Sequence, residues 1–569
     1  MAALLFSLLG FVLAAGLAPA EAQAKKKAKP RGTLIVQVDG LPRGASPKVV
    51  ISGPKVKGKA VRKAIRKRGR TVVKRLPLGR YKVTSRTVQI AGGKAEPKKG
   101  SVSVRLWKKK REKRVTVVFS PAQDALWMVN LGIYNGIQSF GACVDPTSQA
   151  AFAGCFGPAT LTTLPSDSSG SSMPITDGVN VYFGSPRGWS CPITGYGQNC
   201  TQVQIGWAKG IPSTQNSPIS YAAYGGYIWL GYLKGEIYRC PSDLPYTGAT
   251  SPPAGCILLD DAGNRAPYQM VYASGRLYVG LDYSSDTWLT DGKGGGLLWS
   301  CDPQTPNACI NLDYLDAHTN EVYSLAVGAG YVWVGTENNT IYRCDPVTPN
   351  SCETWVTTKE PISSVAYDGE GTLWATVSVN MGDGNQLINS GVWACSTTSA
   401  QTCSTAMTGF FARQVTADAG AAFSGANAGG SQLPTGPWIW SNTAFSYTPY
   451  SMTTETAGPL LYIPSGGPTT SGTLRVRARA APAVMRRLCA KRTTVRASVR
   501  VRGPHGIALT RATKLCARGR PVRNPMATFR LLDPGRYRIS LRAKGLTAQV
   551  RATVDGRHRA LTVIRATLR

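Results

Sequence analysis

Histidine and acidic residues are scarce in this chain of 569 residues. It contains 3 histidines, and its 30 acidic residues stand against 66 lysines and arginines, which gives a formal net charge of +36. Helical periodicity is also scarce, whereas 62 glycines and frequent turn signals are typical of an all-β protein. Because there is no C-x-x-C motif and no histidine cluster, a zinc site is not expected. The chain also lacks a serine elbow, a phosphate-binding loop and a dinucleotide fingerprint, which argues against the enzyme classes that these motifs define.

Long apolar runs are lacking after the N-terminus, so no later segment is expected to span a membrane. Residues 1–24 form an apolar run that ends in Ala22, Gln23 and Ala24, a cleavage pattern typical of a secretory signal peptide. No lysine or arginine precedes this run, so the true start codon is left open. A membrane anchor is the alternative, but the run is short and ends in a cleavage pattern. The sequence therefore predicts an extracytoplasmic protein that is secreted or associated with the cell surface.

The 14 cysteines fall into neighbouring pairs along the chain. Three pairs share the spacing C-x7-C, and each would join two strands across a turn. Disulfides are expected because the signal peptide predicts export to an oxidising compartment, where disulfides form. Metal ligation is the alternative. A disulfide across so small a loop would stabilise the fold by roughly 2–3 kcal/mol. The predicted disulfides are Cys143–Cys155, Cys191–Cys200, Cys240–Cys256, Cys301–Cys309, Cys344–Cys352, Cys395–Cys403 and Cys489–Cys516.

A short β-rich unit recurs through the middle of the chain and is clearest between Val322 and Cys352. Its second strand carries an aromatic residue, and the anchors of the copies lie 41 to 55 residues apart at Trp127, Tyr182, Trp229, Tyr278, Trp333, Trp374 and Phe423. A four-stranded unit of this period is typical of a β-propeller blade. Seven copies predict a seven-bladed β-propeller over residues 121–450. Six or eight blades, or another all-β repeat, are the alternatives.

Two further patterns refine the middle section. The sixth copy, ISSVAYDGEGTLWAT at 362–376, resembles the blades of bacterial NHL-type and regulator-type propellers. Residues 451–470 are rich in Ser, Thr, Gly and Pro and are interpreted as a linker. Within this linker, GPLLYIP at 458–464 is a candidate for a strand that closes the ring.

The two ends of the chain are strongly basic and follow one pattern. Residues 25–119 carry 31 basic and 3 acidic residues, residues 470–569 carry 25 and 2, and the section between them carries 10 and 24. GTLIV at 32–36 and LPLGRYKVTS at 76–85 correspond to GTLRV at 472–476 and LDPGRYRISL at 532–541. Both ends resemble carboxypeptidase-regulatory-like or transthyretin-like β-sandwiches, a resemblance that implies accessory, adhesive or spacer modules. We call residues 25–120 the first arm and residues 471–569 the second arm.

The propeller resemblance implies that loops after the second strand of each blade, and loops between blades, share one face. Long insertions at 282–296 and 378–390 would lie there with the inter-blade loops 257–267 and 310–321. Such a face would bind a cationic ligand, a sugar or Ca²⁺ through Asp282, Asp286, Trp288, Asp291, Asp316 and Asp383. The alternative is that these are turn residues on a solubilising surface. Apart from this possible Ca²⁺, no cofactor is expected.

One histidine, His318, is the candidate for a general base in the middle section, with Asp316 or Glu321 as its partner. The alternative is a solvated loop histidine. The main hypothesis is therefore a secreted, non-enzymatic binding or scaffold protein, and an extracytoplasmic propeller lyase or hydrolase acting at the loop face is the second.

The basic arms are expected to bind an anionic cell-envelope polymer or polysaccharide. The candidate residues come from two basic runs, namely Arg66, Lys67, Arg68, Lys108, Lys109, Lys110 and Arg111. The alternative is that the arms are merely well solvated or dock on the acidic middle section. A protein partner is possible, sequence-specific binding of nucleic acid is not expected because no recognition helix is evident, and the oligomeric state is left open.

Overall fold

The computed structural model describes residues 31–41, 45–56, 59–90, 93–107, 111–121, 124–131, 138–144, 162–164, 174–184, 187–195, 199–207, 218–232, 234–248, 251–263, 265–281, 296–315, 322–377, 391–408, 411–418, 421–427, 437–441, 460–463, 471–490, 494–518, 520–522, 524–554 and 561–568. These residues form an all-β protein with 44 strands and one α-helix. Within these ranges, no helix is both long and apolar enough to cross a membrane.

The first arm consists of two sheets that share one core. Its strands are β1 (Arg31–Asp39), β2 (Lys48–Val56), β3 (Lys59–Ile65), β4 (Gly69–Pro77), β5 (Gly79–Arg86), β6 (Val88–Ile90), β7 (Gly93–Pro97), β8 (Ser101–Leu106) and β9 (Glu112–Pro121). One sheet has the order β4-β1-β9-β7-β6 and the other β3-β2-β5-β8. Strand β1 pairs antiparallel with β4 and parallel with β9. The strands alternate between buried and exposed residues, so each sheet turns its apolar side chains to the shared core.

The middle section contains β10 (Ala125–Leu131), β11 (Gln138–Val144), β12 (Thr162–Leu164), β13 (Ile175–Thr176), β14 (Asn180–Phe183), β15 (Arg187–Pro192), β16 (Thr201–Gln204), β17 (Pro218–Tyr224), β18 (Tyr227–Tyr232), β19 (Glu236–Pro241), β20 (Ile257–Asp261), β21 (Pro267–Ala273), β22 (Arg276–Leu281), β23 (Gly296–Cys301), β24 (Cys309–Leu315), β25 (Val322–Gly328), β26 (Tyr331–Thr336), β27 (Thr340–Cys344), β28 (Glu353–Thr357), β29 (Ile362–Tyr367), β30 (Thr372–Val377), β31 (Gly391–Ser396), β32 (Cys403–Thr408), β33 (Phe411–Asp418), β34 (Ala421–Asn427), β35 (Pro437–Ser441) and β36 (Leu460–Ile463). A 3-10 turn at Ile193–Gly195 follows β15. Consecutive strands form separate antiparallel sheets: β13 to β16, β17 to β20, β21 to β24, β25 to β28, β29 to β32 and β33 to β35.

These sheets stand around a common channel. The first strands β17, β21, β25, β29 and β33 contact one another in succession. Together with β13 and β36 they line a cavity of about 350 Å³. Sheets of four antiparallel strands arranged radially around a channel define a β-propeller. The propeller predicted from the repeat is therefore confirmed.

One sheet combines strands from both ends of the middle section. Its order is β12-β11-β10-β36, and Ala125 to Met128 of β10 pair antiparallel with Ile463 to Leu460 of β36. The predicted closing strand is thus present. It occupies 460–463, so this part of the 451–470 segment is a propeller strand and not linker.

The second-strand aromatic residues are buried in the propeller, as expected. Trp127, Tyr182, Trp229, Tyr278, Trp333 and Trp374 expose 2% or less of their surface. The side chain of Phe423 lies outside the described residues. Each of these rings is covered by its own sheet and the neighbouring sheets, which is why an isolated unit of this kind is not stable alone.

Six of the predicted disulfides are confirmed: Cys191–Cys200, Cys240–Cys256, Cys301–Cys309, Cys344–Cys352, Cys395–Cys403 and Cys489–Cys516. In the five propeller disulfides, the end of the third strand is joined to the start of the fourth. Each of them therefore closes the outer hairpin of one sheet. Cys155 lies outside the described residues, so the pair Cys143–Cys155 stays a prediction.

The second arm repeats the topology of the first. It contains β37 (Gly472–Ala480), α1 (Pro482–Cys489), β38 (Val495–Arg502), β39 (Ala508–Ala517), β40 (Arg520–Pro521), β41 (Met526–Leu532), β42 (Gly535–Ala543), β43 (Leu546–Val554) and β44 (Leu561–Leu568). Its sheets have the orders β41-β37-β44 and β40-β39-β38-β42-β43. Strand β37 pairs antiparallel with β41 and parallel with β44, as β1 does with β4 and β9. The helix α1 was not expected, and the Cys489–Cys516 disulfide ties it to β39.

A buried tyrosine marks equivalent positions in the two arms. The Tyr81 hydroxyl donates to the Pro77 carbonyl at 2.6 Å, and the Tyr537 hydroxyl donates to the Asp533 carbonyl at 2.8 Å. A Cβ atom on Gly53 would come within 2.2 Å of the Tyr81 ring, and one on Gly503 within 2.0 Å of the Tyr537 ring. Only glycine leaves room for the ring at either position, so Gly53 and Tyr81 correspond to Gly503 and Tyr537.

The closing strand yields a test of stability. Ile463 is fully buried opposite Ala125, so Ile463→Ala should lower the free energy of unfolding by about 2–5 kcal/mol because it leaves a cavity. Ile310→Ala is the control, because Ile310 is 50% exposed. Urea denaturation of both variants would measure the difference. Equal losses in the two variants would contradict a structural role for the closing strand.

Candidate functional site

The predicted loop-face residues lie outside the described residues. This holds for Asp282, Asp286, Trp288, Asp291, Asp316 and Asp383, and for His318. The strand ends next to these loops are described: Leu281 pairs with Pro267, and Val377 pairs with Ile362. Both insertions therefore begin at the end of the channel where the first strands start. The ligand-binding and catalytic roles of these residues stay predictions.

The first strands share a feature at this end of the channel. In β17, β21, β25 and β29 the pairing shifts at the second residue, which is Ile219, Tyr268, Tyr323 and Ser363 respectively. Such β-bulges redirect a side chain. The Tyr268 and Tyr323 rings are 5.6 Å apart, and Tyr268 is 45% exposed. We call these four bulged positions the bulged rim; they were not predicted, because a bulge does not change the residue pattern that predicts a strand.

The predicted polyanion-binding residues are exposed where they are described. Arg66, Lys67 and Arg68 form the turn between β3 and β4, and one Arg68 guanidinium nitrogen donates to the Leu41 carbonyl at 3.3 Å. Arg111 precedes β9. Lys108, Lys109 and Lys110 lie outside the described residues. The described members of this set are in a turn and at a strand start, and not on the face of a sheet.

A denser basic surface is present on the second arm. Strands β38 and β42 alternate between buried apolar residues and exposed polar ones. The exposed positions of these strands and of β43 carry arginines on one side of the sheet, and five of these arginines line the same concavity. We call this surface the arginine face; it comprises Arg500, Arg502, Arg538, Arg542 and Arg551. It borders an open concavity of about 920 Å³.

The strand register aligns three of these arginines. Arg502 pairs with Arg538, and Arg538 pairs with Arg551, so the three form a row across β38, β42 and β43. Adjacent strands are about 4.8 Å apart. Like charges directly opposite each other destabilise a sheet. The row therefore has no benefit for folding, whereas a bound polyanion would neutralise it.

Among the described residues, carboxylates are lacking around the arginine face. Within the described part of the second arm, Asp533 is the only acidic residue, and it is 2% exposed at the contact with the propeller. The described residues that line the concavity also include no aromatic side chain. This face was not predicted from the sequence, because its arginines do not form a continuous basic run. The alternation V-R-A-S-V-R-V-R at 495–502 predicts the exposed arginines of β38, but not their neighbours on β42 and β43.

The first arm provides an internal comparison. From the equivalence of Gly53 with Gly503 and of Tyr81 with Tyr537, the positions of the arginine row correspond to Ser52, Lys82 and Ser103. These three pair across β2, β5 and β8 in the same register. Two of the three positive charges are thus absent in the first arm. The two arms share a fold, but the aligned guanidinium groups belong to the second.

Both arms dock on the propeller at the end opposite the bulged rim. The first arm is held by two propeller residues: the Thr194 hydroxyl donates to the Gly40 carbonyl of the arm, and Ile193 packs into the core of the arm. For the second arm, the Gly330 amide of the propeller donates to the Leu531 carbonyl of the arm at 2.7 Å. Arg511 of the arm also forms an ion pair with Asp345 of the propeller at 2.7 Å. These propeller residues lie in turns between first and second strands or between third and fourth strands.

Docking leaves the arginine face exposed. On β39, Leu509 lies against Gly330 of the propeller and Arg511 contacts Asp345. Side chains alternate along a strand, so Thr510 points to the opposite side of the sheet, where it is exposed beside its partner Arg500. The arginine face is therefore turned away from the residues that hold the arm to the propeller.

Asp533 is the buried polar contact in this interface. Its carboxylate accepts hydrogen bonds from the Ala329 amide at 3.0 Å and from the Tyr367 hydroxyl at 2.5 Å. Burial raises the pKa of Asp533 to about 6, while these two hydrogen bonds and the nearby His505 act in the opposite direction. Burial and the Asp533 charge also raise the pKa of Tyr367, so this hydroxyl remains a donor.

The raised pKa of Asp533 predicts a pH dependence. Between pH 3.8 and about 6 the folded protein keeps the Asp533 proton that the unfolded chain releases, so the free energy of unfolding falls as pH rises through this window. The contribution amounts to about 2–3 kcal/mol. Asp533→Asn removes it, because the amide stays neutral. Thermal unfolding of both proteins from pH 4 to 7 would measure the difference, and identical pH profiles would contradict the prediction.

No family model and no curated protein matches the chain. Among solved structures, the computationally designed Ika8 protein is 12% identical over 76% of this chain and 97% of its own, with a TM-score of 0.32. A chain of the nidogen/laminin complex is 14% identical over 48% of this chain and 89% of its own, with a TM-score of 0.31. The WD40 β-propeller domain of Doa1 is 12% identical over 48% and 78%, with a TM-score of 0.31. Because these sequence identities and TM-scores are low, no argument rests on these similarities.

Proposed function

We propose that this chain is a secreted, non-enzymatic binding or scaffold protein that is held at an anionic cell-envelope surface through its second arm. The proposal includes the finer architecture, a seven-bladed propeller between two β-sandwich arms, and removal of residues 1–24 as a signal peptide. The six disulfides support an oxidising, extracytoplasmic environment.

The observation that carries the proposal is the row of Arg502, Arg538 and Arg551. A guanidinium group offers a rigid fork of donors that fits carboxylate, sulfate or phosphate in two parallel hydrogen bonds. Three such groups side by side repel one another until anions come between them. Arginine stays protonated at physiological pH, so the row is suited to binding and not to acid–base chemistry.

The docked arrangement supports the scaffold role. The arms contact one end of the propeller, through Thr194 and Ile193 for the first arm and through Gly330 and Asp345 for the second. Anchoring through the second arm would leave the bulged rim at the opposite end of the channel from these contacts. The alternative of a propeller enzyme, with His318 of the 310–321 loop as the base, stays a prediction.

The proposal predicts which arginines hold the protein to the envelope. The triple variant Arg502→Ser, Arg538→Lys, Arg551→Ser gives the second arm the residues that the first arm has at these positions. It should bind purified cell envelope at least tenfold more weakly, because each charge-assisted hydrogen bond contributes about 1.5–3 kcal/mol. Its log affinity should also fall less steeply with log salt, by about one unit per lost charge. Co-sedimentation of the mature chain across a salt series would measure both.

The control has the same change in charge at another site. Arg66→Ser, Lys67→Arg, Arg68→Ser also removes two positive charges, but from the turn of the first arm. We expect it to retain most of the affinity. Equal losses in the two triple variants would show that net charge is sufficient and that the arginine row is not a site. Circular dichroism would verify that both variants are folded.

A further inference from the structure

The arginine face combines charge with a second kind of group. Hydroxyl and amide side chains occupy the positions between the arginines, and they lie in two rows parallel to the arginine row. One row is Thr510, Arg500, Ser540 and Gln549, and the other is Ser498, Arg542 and Thr547. Each of these rows therefore places a guanidinium group beside groups that both donate and accept hydrogen bonds.

From this pattern, and resting on the proposed function, we infer that the ligand of the arginine face is an acidic polysaccharide, a polymer that carries uronate carboxylates or sulfate esters on its sugars. Its anionic groups bind the arginine row, and its hydroxyl groups bind the Ser, Thr and Gln side chains of the rows beside it.

The spacing of the charges determines how the polymer would lie relative to the strands. Across the strands, Arg502, Arg538 and Arg551 follow one another at about 4.8 Å. Along a strand, residues on the same face are about 6.6 Å apart, as for Arg500 and Arg502. The densest line of positive charge thus runs perpendicular to the strands. A chain with an anionic group on its sugar units, lying in that direction, meets successive guanidinium groups.

The hydrogen-bonding groups distinguish between polymers. Sugar hydroxyls need partners that donate and partners that accept, and Ser540, Gln549 and Thr547 supply both. A polyphosphate chain offers acceptors alone, so it would leave the acceptor capacity of these side chains unused. The exposed positions on this face are therefore better matched to a hydroxylated polyanion.

The lining of the concavity disfavours single-stranded nucleic acid. Non-specific binding of single strands relies on aromatic side chains that stack on the bases. In the part of the arm that the structure describes, the concavity is lined by arginines, Ser498, Thr510, Ser540, Thr547, Gln549 and aliphatic side chains, without an aromatic residue. Charge complementarity remains for any polyanion, but the contacts that would favour bases are lacking.

The test compares polymers at equal charge concentration and equal salt. Isothermal titration of the mature full-length chain would use polygalacturonate for carboxylates, dextran sulfate for sulfate esters, polyphosphate, oligothymidylate, and dextran as the neutral control. We expect polygalacturonate or dextran sulfate to bind more tightly than polyphosphate and oligothymidylate, and dextran not to bind. Whichever of the two acidic polysaccharides binds more tightly identifies the anionic group.

A second variant isolates the hydroxyl and amide contacts. Ser540→Ala, Gln549→Ala keeps all five arginines and should lower affinity for the preferred polysaccharide by about three- to tenfold, since neutral hydrogen bonds are weaker than charged ones. Its affinity for polyphosphate should not change. Binding of the polysaccharide to the wild-type chain should also protect Arg502, Arg538 and Arg551 from modification by phenylglyoxal, a measurement that needs no variant to fold.

The outcomes separate the two proposals. If polyphosphate or oligothymidylate binds as tightly as both acidic polysaccharides, or if the Ser540 and Gln549 variant weakens all polymers equally, the inference about the ligand is overturned while anchoring to an anionic surface stands. If no polyanion binds the wild-type chain, or if none protects the arginine row, the proposed function fails as well.

Discussion

The antiparallel pairing of Leu460–Ile463 with Ala125–Met128 is the contact on which the rest of the structure depends. Each propeller sheet needs neighbours on both of its faces, and this pairing joins the last strand of the ring to the first. Because the two strands are antiparallel, β10 begins where β36 ends. The first arm leads into Ala125 and the second arm follows Ile463, so the closure places both arms at the same end of the channel.

The middle section and the two arms carry opposite net charge. In the sequence, the acidic middle section lies between the two basic arms. Attraction between opposite charges would therefore be the simplest explanation of their docking. The interface instead combines apolar packing, backbone hydrogen bonds and the buried Asp533, together with the pair of Arg511 and Asp345. The arginine face takes no part in it. Basic residues of the second arm therefore fall into two groups, one that docks on the propeller and one that stays exposed.

The two arms show how similar sequences on one topology serve different purposes. The motif that enters β5 and β42 has Pro77 in the first arm and Asp533 at the equivalent place in the second. Each residue accepts the tyrosine hydroxyl through its backbone, so the corner is the same. The Asp533 side chain adds the contact with Tyr367 and Ala329, which proline cannot make. Resemblance between the arms predicted their common fold but neither the Asp533 contact nor the arginine row.

Local patterns in the sequence were sufficient to predict the propeller, six disulfide pairs and the closing strand, because strand periodicity, turn residues and short cysteine spacings act between neighbours in the chain. The predicted polyanion site was placed in the turn at Arg66 to Arg68, since a run of charge is visible in sequence. The row of Arg502, Arg538 and Arg551 is visible only after folding. Each of these arginines stands among uncharged neighbours, and it is the register between β38, β42 and β43 that brings them together. Strand register depends on contacts between distant residues, and no single segment contains that information.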